Sequence, residues 1–525
     1  MYAPAVGVTA ARVDVESKNK TTTKEGRKMK SKMPKTNRRN FIKGMVAAGA
    51  APMIVPSSVL GATAPSNLLQ IAILGCGRIG RSMDLGGCVA NQDLAMLTTV
   101  CDPDRVRLEA MKELVSQRYK RDMSHLKLEM DYRKVLDDPG IDGVMICTQD
   151  QWHARQAIEA CLKGKDIYVQ KPMAFSVEES EGIVEAVRRT KRIFHIGTQQ
   201  RSAAHFVQGV ECVREGRLGK VQTVDVTIID NSPRKEWWHA PSKEKTPDKR
   251  DFDFDLWLGP ARDDVPYSQL RTHWRPVDDK GRPYAKVPGQ NVGWLQIQDY
   301  CNGNISGWGS HHFDIAQWAL GGQGPVSIKA DIAHFMKGRL FNVHDDCHIV
   351  YKYANGTELR FSTPEHKASP KFKHSSGYGV RFTGENGDWI WTCRGDSWIV
   401  DSDRVDTALG PKAEKWRRLE ANRKELIEGT PKRSVAHNPF GNHHRPWFVG
   451  MRERKDTFIT VEEANVSTLT CLLGYHAMNN VGYEIKWDPV KRAFVNPADA
   501  ARLMKCNERA PYSAMAALEE IRRRG

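Results

Sequence analysis

The chain has 525 residues, 40% of them hydrophobic, which is enough for two or three domains with their own cores. Its formal net charge is +16, but residues 1–64 hold twelve Lys/Arg and three Asp/Glu, so +9 lies there and +7 in residues 65–525. The second part mixes both signs without a basic stripe, so we expect no nucleic-acid binding. The eleven cysteines form no CxxC pair and no Cys/His zinc spacing, which argues against a disulfide framework and a metal site.

The first feature along the chain is an export signal. Residues 37–43, Asn-Arg-Arg-Asn-Phe-Ile-Lys, resemble the twin-arginine signal, in which two arginines precede x-Phe-Leu-Lys. Two prolines interrupt the weakly apolar run 44–61, so it would make a poor membrane span. We expect residues 1–64 to be a disordered extension carrying this signal, with the twin-arginine export machinery as a partner and a periplasmic or extracytoplasmic location. The alternative is a basic pair before an alanine-rich loop, and the cleavage site stays open.

A dinucleotide-binding loop is predicted next. The apolar run from Leu68 ends in Gly-Cys-Gly-Arg-Ile-Gly at residues 75–80, which is the GxGxxG pattern that turns from a strand into a helix. An acid, Asp102, follows 22 residues after the third glycine and can accept hydrogen bonds from the adenosine ribose. Its charge favours NAD over NADP, while Arg105 and Arg107 keep NADP open. The loop residues expected to contact the cofactor are Gly75, Gly77, Arg78, Ile79 and Gly80.

Strands and helices alternate after this loop. Apolar strands are predicted at 141–148, 165–169 and 192–198, and Ser176 with Glu179 forms a capping box that opens a helix. This alternation predicts a Rossmann-type, doubly wound parallel sheet over residues 65–201.

Residues 202–525 show a different pattern. Strands with alternating polarity, such as 221–229 and 358–363, stand among Gly/Pro/Asp-rich turns, which is typical of an α+β domain with a mostly antiparallel open sheet. The apolar stretch 462–482 predicts a helix packed between the two domains. The stretch 441–447, GNHHRPW, is interpreted as a loop before a helix, without a metal site.

The residues after the strand 165–169 resemble those of a known family. The layout TQDQWH (148–153) followed by VQKP (169–172) resembles the Thr-Pro-x-x-x-His and Glu-Lys-Pro motifs of the Gfo/Idh/MocA oxidoreductases. The stretches GTQQRS, FDLWLGPA, HWR and GWGSHHFDIAQWALG resemble a branch rich in exported members, and the likeness runs from about residue 68 to 510. It implies hydride transfer from a sugar hydroxyl carbon, a homo-oligomer (dimer or tetramer), and cofactor contacts from Thr148, His153, Gln170 and Lys171.

Two departures from the family pattern concern the proposed chemistry. Gln170 stands where the family has Glu, and the acid of the family's Asp-x-x-x-His motif falls on Gly307, with its histidine at His311. We therefore expect Lys171 and His311 to be the catalytic pair, with the lysine polarising the developing alkoxide and the histidine accepting a proton. If a helix begins near residue 310, Asp314 lies on the same face as His311 and could orient its ring.

Several polar and aromatic side chains are candidates for contact with a carbohydrate, because indoles stack on sugar faces while hydroxyls need polar partners. Asp299 and Tyr300 are candidates for the acid missing at 307. The remaining substrate candidates are Arg201, His273, Trp274, Trp294, His312 and Asp314.

Three functions remain open at this point. An exported oxidoreductase would keep its nicotinamide and reset it within each cycle, since little free NAD exists outside the cytoplasm. A redox glycosidase would oxidise a ring carbon, eliminate the aglycone, add water and reduce the ring again. A sugar or dinucleotide sensor would use the same fold without turnover.

Overall fold

The computed structural model describes residues 67–228, 244–262, 267–268, 293–336, 338–363, 379–385, 387–393, 396–400, 417–418, 439–506 and 508–524. The predicted export segment 1–64 and the substrate candidates His273 and Trp274 lie outside these residues. Residues Leu60–Gly525 form one compact unit, to which both sheets belong.

The first sheet has six strands in the order β3-β2-β1-β4-β5-β6, and every neighbouring pair is parallel. Its strands are β1 Leu69–Leu74, β2 Ala95–Cys101, β3 Lys127–Glu129, β4 Gly143–Ile146, β5 Asp166–Val169 and β6 Phe194–Ile196. The strand order reverses direction between β1 and β4, and ligands of doubly wound sheets bind beyond the carboxyl ends of the strands at such a point. The predicted parallel sheet is confirmed.

Helices connect these strands. A π-helical turn, Gly80–Asp84, leads into the first of them, and Ser176 and Glu179 form the predicted capping box at the start of the last. The helices are α1 Leu85–Ala90, α2 Arg105–Tyr119, α3 Tyr132–Asp137, α4 Asp150–Leu162 and α5 Val177–Thr190.

The second sheet has ten strands in the order β14-β13-β12-β11-β7-β10-β9-β8-β15-β16. Only β7 and β10 pair in parallel among the described pairs, so the predicted mostly antiparallel sheet is confirmed. Its strands are β7 Val221–Thr227, β8 Ser327–Phe335, β9 His344–Lys352, β10 Glu358–Ser362, β11 Gly379–Gly384, β12 Trp389–Cys393, β13 Asp396–Val400, β14 Arg417–Arg418, β15 Glu484–Asp488 and β16 Ala493–Phe494.

The remaining helices pack on this sheet or return to the first one. They are α6 Ala204–Arg214, α7 Phe254–Leu258, α8 Asn304–Gly307, α9 Gly309–Ala319, α10 Pro439–Glu453, α11 Val461–Met478, α12 Pro497–Leu503 and α13 Ala514–Arg524, with 3₁₀ turns at Gln199–Ser202 and Trp294–Gln296. None of the described helices is both long and apolar enough to cross a membrane.

Helix α11 joins the two cores, as its apolar sequence predicts. Its first turns add Val461 and Ala464 to the core of the parallel sheet, and its later residues Leu469, Leu472 and Leu473 belong to the core of the second sheet. Because both faces of the helix are buried, the two sheets are held in one packed body.

The last part of the chain returns to the first sheet. Trp447, Phe448 and Met451 of α10 pack in the core on one side of the parallel sheet, while Leu518 and Ile521 of α13 pack on the other. The predicted domain limits, 65–201 and 202–525, assign these two helices to the second domain, although they pack on the first sheet.

The interpretation of 441–447 as a loop before a helix is wrong, since these residues lie inside α10. The two histidines of this stretch are buried and face the first sheet. His443 contacts the Ile196 carbonyl oxygen and the Ser202 hydroxyl at 2.8 Å each, and His444 contacts a carboxylate oxygen of Asp84 at 2.8 Å. Within the described residues no group of three or more His, Cys, Asp or Glu is placed to hold a metal ion.

Candidate active site

The glycine loop after β1 is shaped by two close backbone contacts. Gly75 has a φ of +99°, and a Cβ there would lie 2.6 Å from the carbonyl oxygen of Cys147. A Cβ on Gly80 would lie 2.3 Å from the Gly75 carbonyl oxygen, so the helix can approach the strand only without it. Gly77 is different, because its Cβ would meet only the Arg107 guanidinium at 3.5 Å. The protein itself therefore leaves room for a side chain at Gly77. The absence of one keeps the backbone accessible on the open side of the loop, where a ligand can approach it.

This loop forms one wall of a cleft with about 900 Å³ of empty space, part of it open solvent. Most of the predicted cofactor residues meet here, together with Trp294 from the substrate candidates; Gly80 supports the loop from behind. The described lining residues are Gly75, Gly77, Arg78, Ile79, Asp102, Pro103, Arg107, Cys147, Thr148, Gln149, Asp150, His153, Gln170, Lys171, Trp257, Trp294 and Leu295.

Asp102 is fixed at the end of β2. Its two carboxylate oxygens accept hydrogen bonds from the backbone N–H groups of Cys76 (2.8 Å) and Asp104 (3.0 Å). Burial raises its pKa to about 6, and nearby Arg107 acts against this rise. Of the two arginines that keep NADP open, Arg107 lines the cleft, whereas Arg105 donates to the Arg250 carbonyl oxygen at 3.2 Å.

Lys171 follows the carboxyl end of β5 and reaches the segment of the second domain that carries His311. Its Nζ donates a hydrogen bond to the carbonyl oxygen of Gly307 at 2.5 Å. In a regular α-helix the backbone N–H of His311 would donate to the Gly307 carbonyl oxygen. Here it donates to the Trp308 carbonyl oxygen at 3.1 Å, so the Gly307 carbonyl oxygen, at the junction of α8 and α9, can accept from the lysine. The ammonium group thus lies against the backbone of Gly307, the residue that stands where the family pattern has an acid.

His153 supports the turn that carries this lysine. Its Nδ1 lies 2.6 Å from the carbonyl oxygen of Pro172, and burial lowers the pKa of the ring to about 4. A neutral ring donates from Nδ1 to this oxygen, which holds the Lys171-Pro172 turn against α4.

Gln170 has a partner that explains the loss of the family's Glu. Its amide nitrogen donates to both oxygens of Asp84, at 2.8 and 2.9 Å, and neither residue is exposed by more than 5%. Asp84 also accepts hydrogen bonds from His444 (2.8 Å) and from the Cys147 thiol (2.8 Å). A second carboxylate at position 170 would repel the first in a buried site. Asp84 therefore supplies a buried acid beside position 170.

The histidines of α9 differ in their surroundings. His312 is fully buried, and its Nδ1 lies 2.7 Å from the carbonyl oxygen of Thr227 at the end of β7. Contrary to the expectation of a substrate contact, His312 packs α9 against the second sheet. His311 is buried beside the Trp308 ring (5.9 Å between ring centres), and the described cleft residues do not include it. Its catalytic role stays a prediction.

Arg201 and Asp314 were expected to contact substrate, but they bind each other. Two hydrogen bonds of 2.7 and 2.8 Å join the guanidinium to the carboxylate, and the side chains are 2% and 0% exposed. The hydroxyl of Ser467 donates to the same carboxylate at 2.9 Å, so Asp314 is not placed to orient the His311 ring. This pair joins the end of the first domain to α9 and α11.

The two candidates for the missing acid also have other partners. Asp299 accepts a hydrogen bond from Arg262 at 2.9 Å. Tyr300 is fully buried, with its ring edge-on to Trp257 at 5.1 Å between centres. Neither belongs to the described cleft wall, so the expectation that they replace the acid at 307 is not supported.

An acid that the sequence reasoning missed does line the cleft. Asp150, the first residue of α4, is only 2% exposed, and its Oδ2 has no hydrogen-bond partner within the described structure. Burial raises its pKa to about 7, while the Lys171 charge and a hydrogen bond from Cys301 lower it. Acids are common in the first turn of a helix, so this position alone does not mark Asp150 as functional. Its place inside the TQDQWH motif was the available signal.

These residues fit a dinucleotide. Gly77 exposes its backbone on the open side of the loop, and the helical turn that begins at Gly80 follows directly. The Asp102 carboxylate, held by two backbone N–H groups, lies at the end of the next strand.

Comparisons with known proteins agree with this geometry. Residues 69–198 match the GFO_IDH_MocA model, described as an oxidoreductase family with an NAD-binding Rossmann fold. A scyllo-inositol 2-dehydrogenase (NAD(+)) of Bacillus subtilis (strain 168) is 32% identical over 152 residues, covering 29% of this chain and 42% of the relative. A glycosyl hydrolase family 109 protein of Shewanella baltica (strain OS155 / ATCC BAA-1091) is 28% identical over 208 residues, covering 36% and 45%. The matches thus span less than half the length of these curated relatives.

A solved structure shows the same fold over a longer range. Levoglucosan dehydrogenase in complex with NADH and levoglucosan superposes with a TM-score of 0.52 at 15% identity, covering 80% of this chain and 99% of that one. The family match thus covers the first domain, residues 69–198, and the likeness to the solved structure extends the shared fold to the second sheet.

Proposed function

We propose that the protein is an NAD-dependent oxidoreductase that acts on a CH–OH group of a sugar or sugar derivative. The observation that carries this proposal is one cleft in which the glycine loop, Asp102 and the Lys171 side chain all form the wall.

The cofactor would be held by backbone on one side and by a carboxylate on the other. Gly77 and the start of the following helix would receive the pyrophosphate, and Asp102 would accept hydrogen bonds from the adenosine ribose. When bound, NAD would supply the acceptor for the hydride that leaves the substrate carbon. Arg107 beside Asp102 leaves NADP as the alternative.

Lys171 would prepare the substrate hydroxyl. Its ammonium group is a hydrogen-bond donor at the carboxyl end of β5, where substrate carbon and cofactor would meet. A cation beside the hydroxyl oxygen stabilises the negative charge that develops there as the hydride leaves, and it lowers the pKa of the hydroxyl. Gln170 and His153 hold this lysine from behind.

A sugar substrate is supported by the tryptophans of the cleft. Trp257 and Trp294 line it together with polar groups, and indole faces suit the apolar faces of pyranose rings. The match to a scyllo-inositol 2-dehydrogenase (NAD(+)) supports a substrate of the same polyhydroxylated class.

We also propose that the protein is exported and that it retains its bound nicotinamide. The twin-arginine-like residues 37–43 support export in a folded state, and an exported enzyme would retain its nicotinamide between turnovers. The proposed export machinery and a homo-oligomeric state rest on sequence resemblance.

A second function, redox glycoside hydrolysis, is favoured by the match to glycosyl hydrolase family 109 proteins. It would use the same cleft, and it would end with no net redox change.

The test is a nicotinamide assay on protein purified after expression with its signal segment. We expect NAD to co-purify and to become reduced when a sugar substrate is added. Release of an aryl group from an aryl glycoside without added cofactor would select the glycosidase. Protein that binds NAD and sugar but transfers no hydride would refute both enzymes and support a sensor.

A further inference from the structure

We propose that Asp150, and not His311, is the proton acceptor of the reaction and that it supplies the carboxylate that the family motif would put at Gly307. This inference rests on the proposed oxidoreductase function and names a further catalytic residue for it.

The topology brings Asp150 to Lys171. Strands β4 and β5 are parallel neighbours, with Ile146 paired to Val169, so both residues emerge at the same edge of the sheet. Asp150 lies four residues beyond its strand and Lys171 two beyond its own, and both side chains line the cleft. Burial raises the pKa of the Asp150 carboxyl, and the Lys171 charge acts against this rise.

One carboxyl oxygen of Asp150 can still accept a hydrogen bond. Its Oδ2 is buried without a hydrogen-bond partner in the described structure, although buried carboxylate oxygens are normally paired. An unpaired buried acceptor is costly, and a substrate hydroxyl that enters the cleft could donate to it. A hydroxyl that reached this oxygen would lie at the same edge of the sheet as the Lys171 side chain.

The groups that face Asp150 keep it available as a base near neutral pH. Lys171 faces it from β5, and the thiol of Cys301 faces it from the segment before α8; burial raises the pKa of that thiol. His153, one turn further along α4, stays neutral because burial lowers its pKa to about 4. With its own pKa raised to about 7, Asp150 is close to the optimum for accepting a proton at working pH.

The other acids near the site are already engaged. Asp84 receives hydrogen bonds from Gln170, His444 and Cys147. Asp314 is paired with Arg201. Asp150 is thus the acid that combines a place in the cleft wall with an oxygen left to accept.

The step balances without another reactant. The substrate carbon loses its hydrogen with the bonding electrons to oxidised nicotinamide, the hydroxyl proton passes to the Asp150 carboxylate, and a carbonyl group forms. In the reverse direction the same carboxyl returns the proton to the alkoxide oxygen. Lys171 keeps its proton throughout and stabilises the charge on oxygen.

Gly307 offers a matched test, because it can accept a side chain. The nearest heavy atom to a Cβ built there is Leu295 Cδ2 at 3.8 Å, which is an ordinary contact, and its φ is not positive. A carboxylate can therefore be moved from one side of Lys171 to the other by combining Asp150→Asn with Gly307→Asp.

The experiment measures kcat/KM for sugar oxidation, its pH profile, and NADH affinity by tryptophan fluorescence. Asp150→Asn should lower kcat/KM by about 10²–10⁴-fold and abolish the rise of rate with pH near 7, with NADH affinity unchanged. Asp150→Asn/Gly307→Asp should regain at least about tenfold. The control is Asp137→Asn, the same change at a carboxylate that is 61% exposed.

A second readout needs no ligand. A carboxyl whose pKa rises on folding binds its proton more tightly in the folded state, so its contribution to stability falls as pH rises from about 4 to about 7. Asp150→Asn removes this dependence. Its urea midpoint should match that of the wild type near the lower pH and exceed it near the higher one.

The outcomes separate the two proposals. Wild-type protein that oxidises sugar while Asp150→Asn keeps the same kcat/KM and pH profile would overturn the role of Asp150 and leave the oxidoreductase intact. Wild-type protein that binds NADH but oxidises no sugar would overturn the proposed function and this inference with it.

Discussion

Replacing Arg201 by methionine should destabilise the protein by about 3–5 kcal/mol, because it leaves a buried carboxylate without its counter-ion. The estimate follows from the geometry: two charge-assisted hydrogen bonds of 2.7 and 2.8 Å connect side chains that are 2% and 0% exposed. After the change, Asp314 retains the Ser467 hydroxyl at 2.9 Å, which cannot balance the lost cation.

Urea unfolding followed by tryptophan fluorescence measures the loss, and a double-mutant cycle identifies its cause. Arg201→Met/Asp314→Leu removes both charges and should recover most of the stability, since an apolar pair of similar volume is tolerated in a core. If Arg201→Met instead kept the wild-type urea midpoint and raised only the KM for sugar, the pair would be a substrate site, and the structural role assigned here would be refuted.

Four further substitutions in and around the cleft have expected effects. Gly77→Ala should keep the fold, because the added Cβ meets only the Arg107 side chain at 3.5 Å, but it should weaken NADH binding at least about tenfold in a fluorescence titration. Gly75→Ala should lower the free energy of unfolding by about 1–3 kcal/mol, since the φ of Gly75 is +99°. Gln170→Glu places a second carboxylate beside the buried Asp84 and should cost on the order of 3 kcal/mol, which urea unfolding will detect. Asp102→Asn should narrow the preference for NAD over NADP by about tenfold in measured Kd ratios; an unchanged ratio would contradict its assigned contact with the ribose.

The parts that could be predicted from sequence depend on local constraints. Gly75 and Gly80 are needed by contacts within one strand-turn-helix unit, so the GxGxxG pattern identified the loop, its strand and its helix together. The capping box at Ser176 and Glu179 is likewise a matter of three residues. The place of Lys171 at the carboxyl end of a strand was predictable, because residues 170–172, Gln-Lys-Pro, directly follow the apolar run 165–169.

Other features depend on contacts that no local pattern reveals. Arg201 and Asp314 are 113 residues apart in the chain, and each alone looked like a polar group available to a sugar. The segment 441–447 looked like a loop because of its glycine and proline, yet Pro446 lies inside α10, whose buried face packs on the first sheet. Asp150 is the first residue of α4, and only the packing of the strands and helices places it in the wall of the cleft.

In the proposed reaction, Lys171 promotes hydride transfer from a sugar bound in the cleft beside the glycine loop. The most direct test is a rapid-mixing experiment in which protein carrying NAD meets its sugar substrate and the absorbance of reduced nicotinamide is followed. We predict that Lys171→Met binds NAD as the wild type does but forms reduced nicotinamide about 10²–10³-fold more slowly, the range seen when one donor to a developing oxyanion is removed. An equal rate in the two proteins would contradict the account.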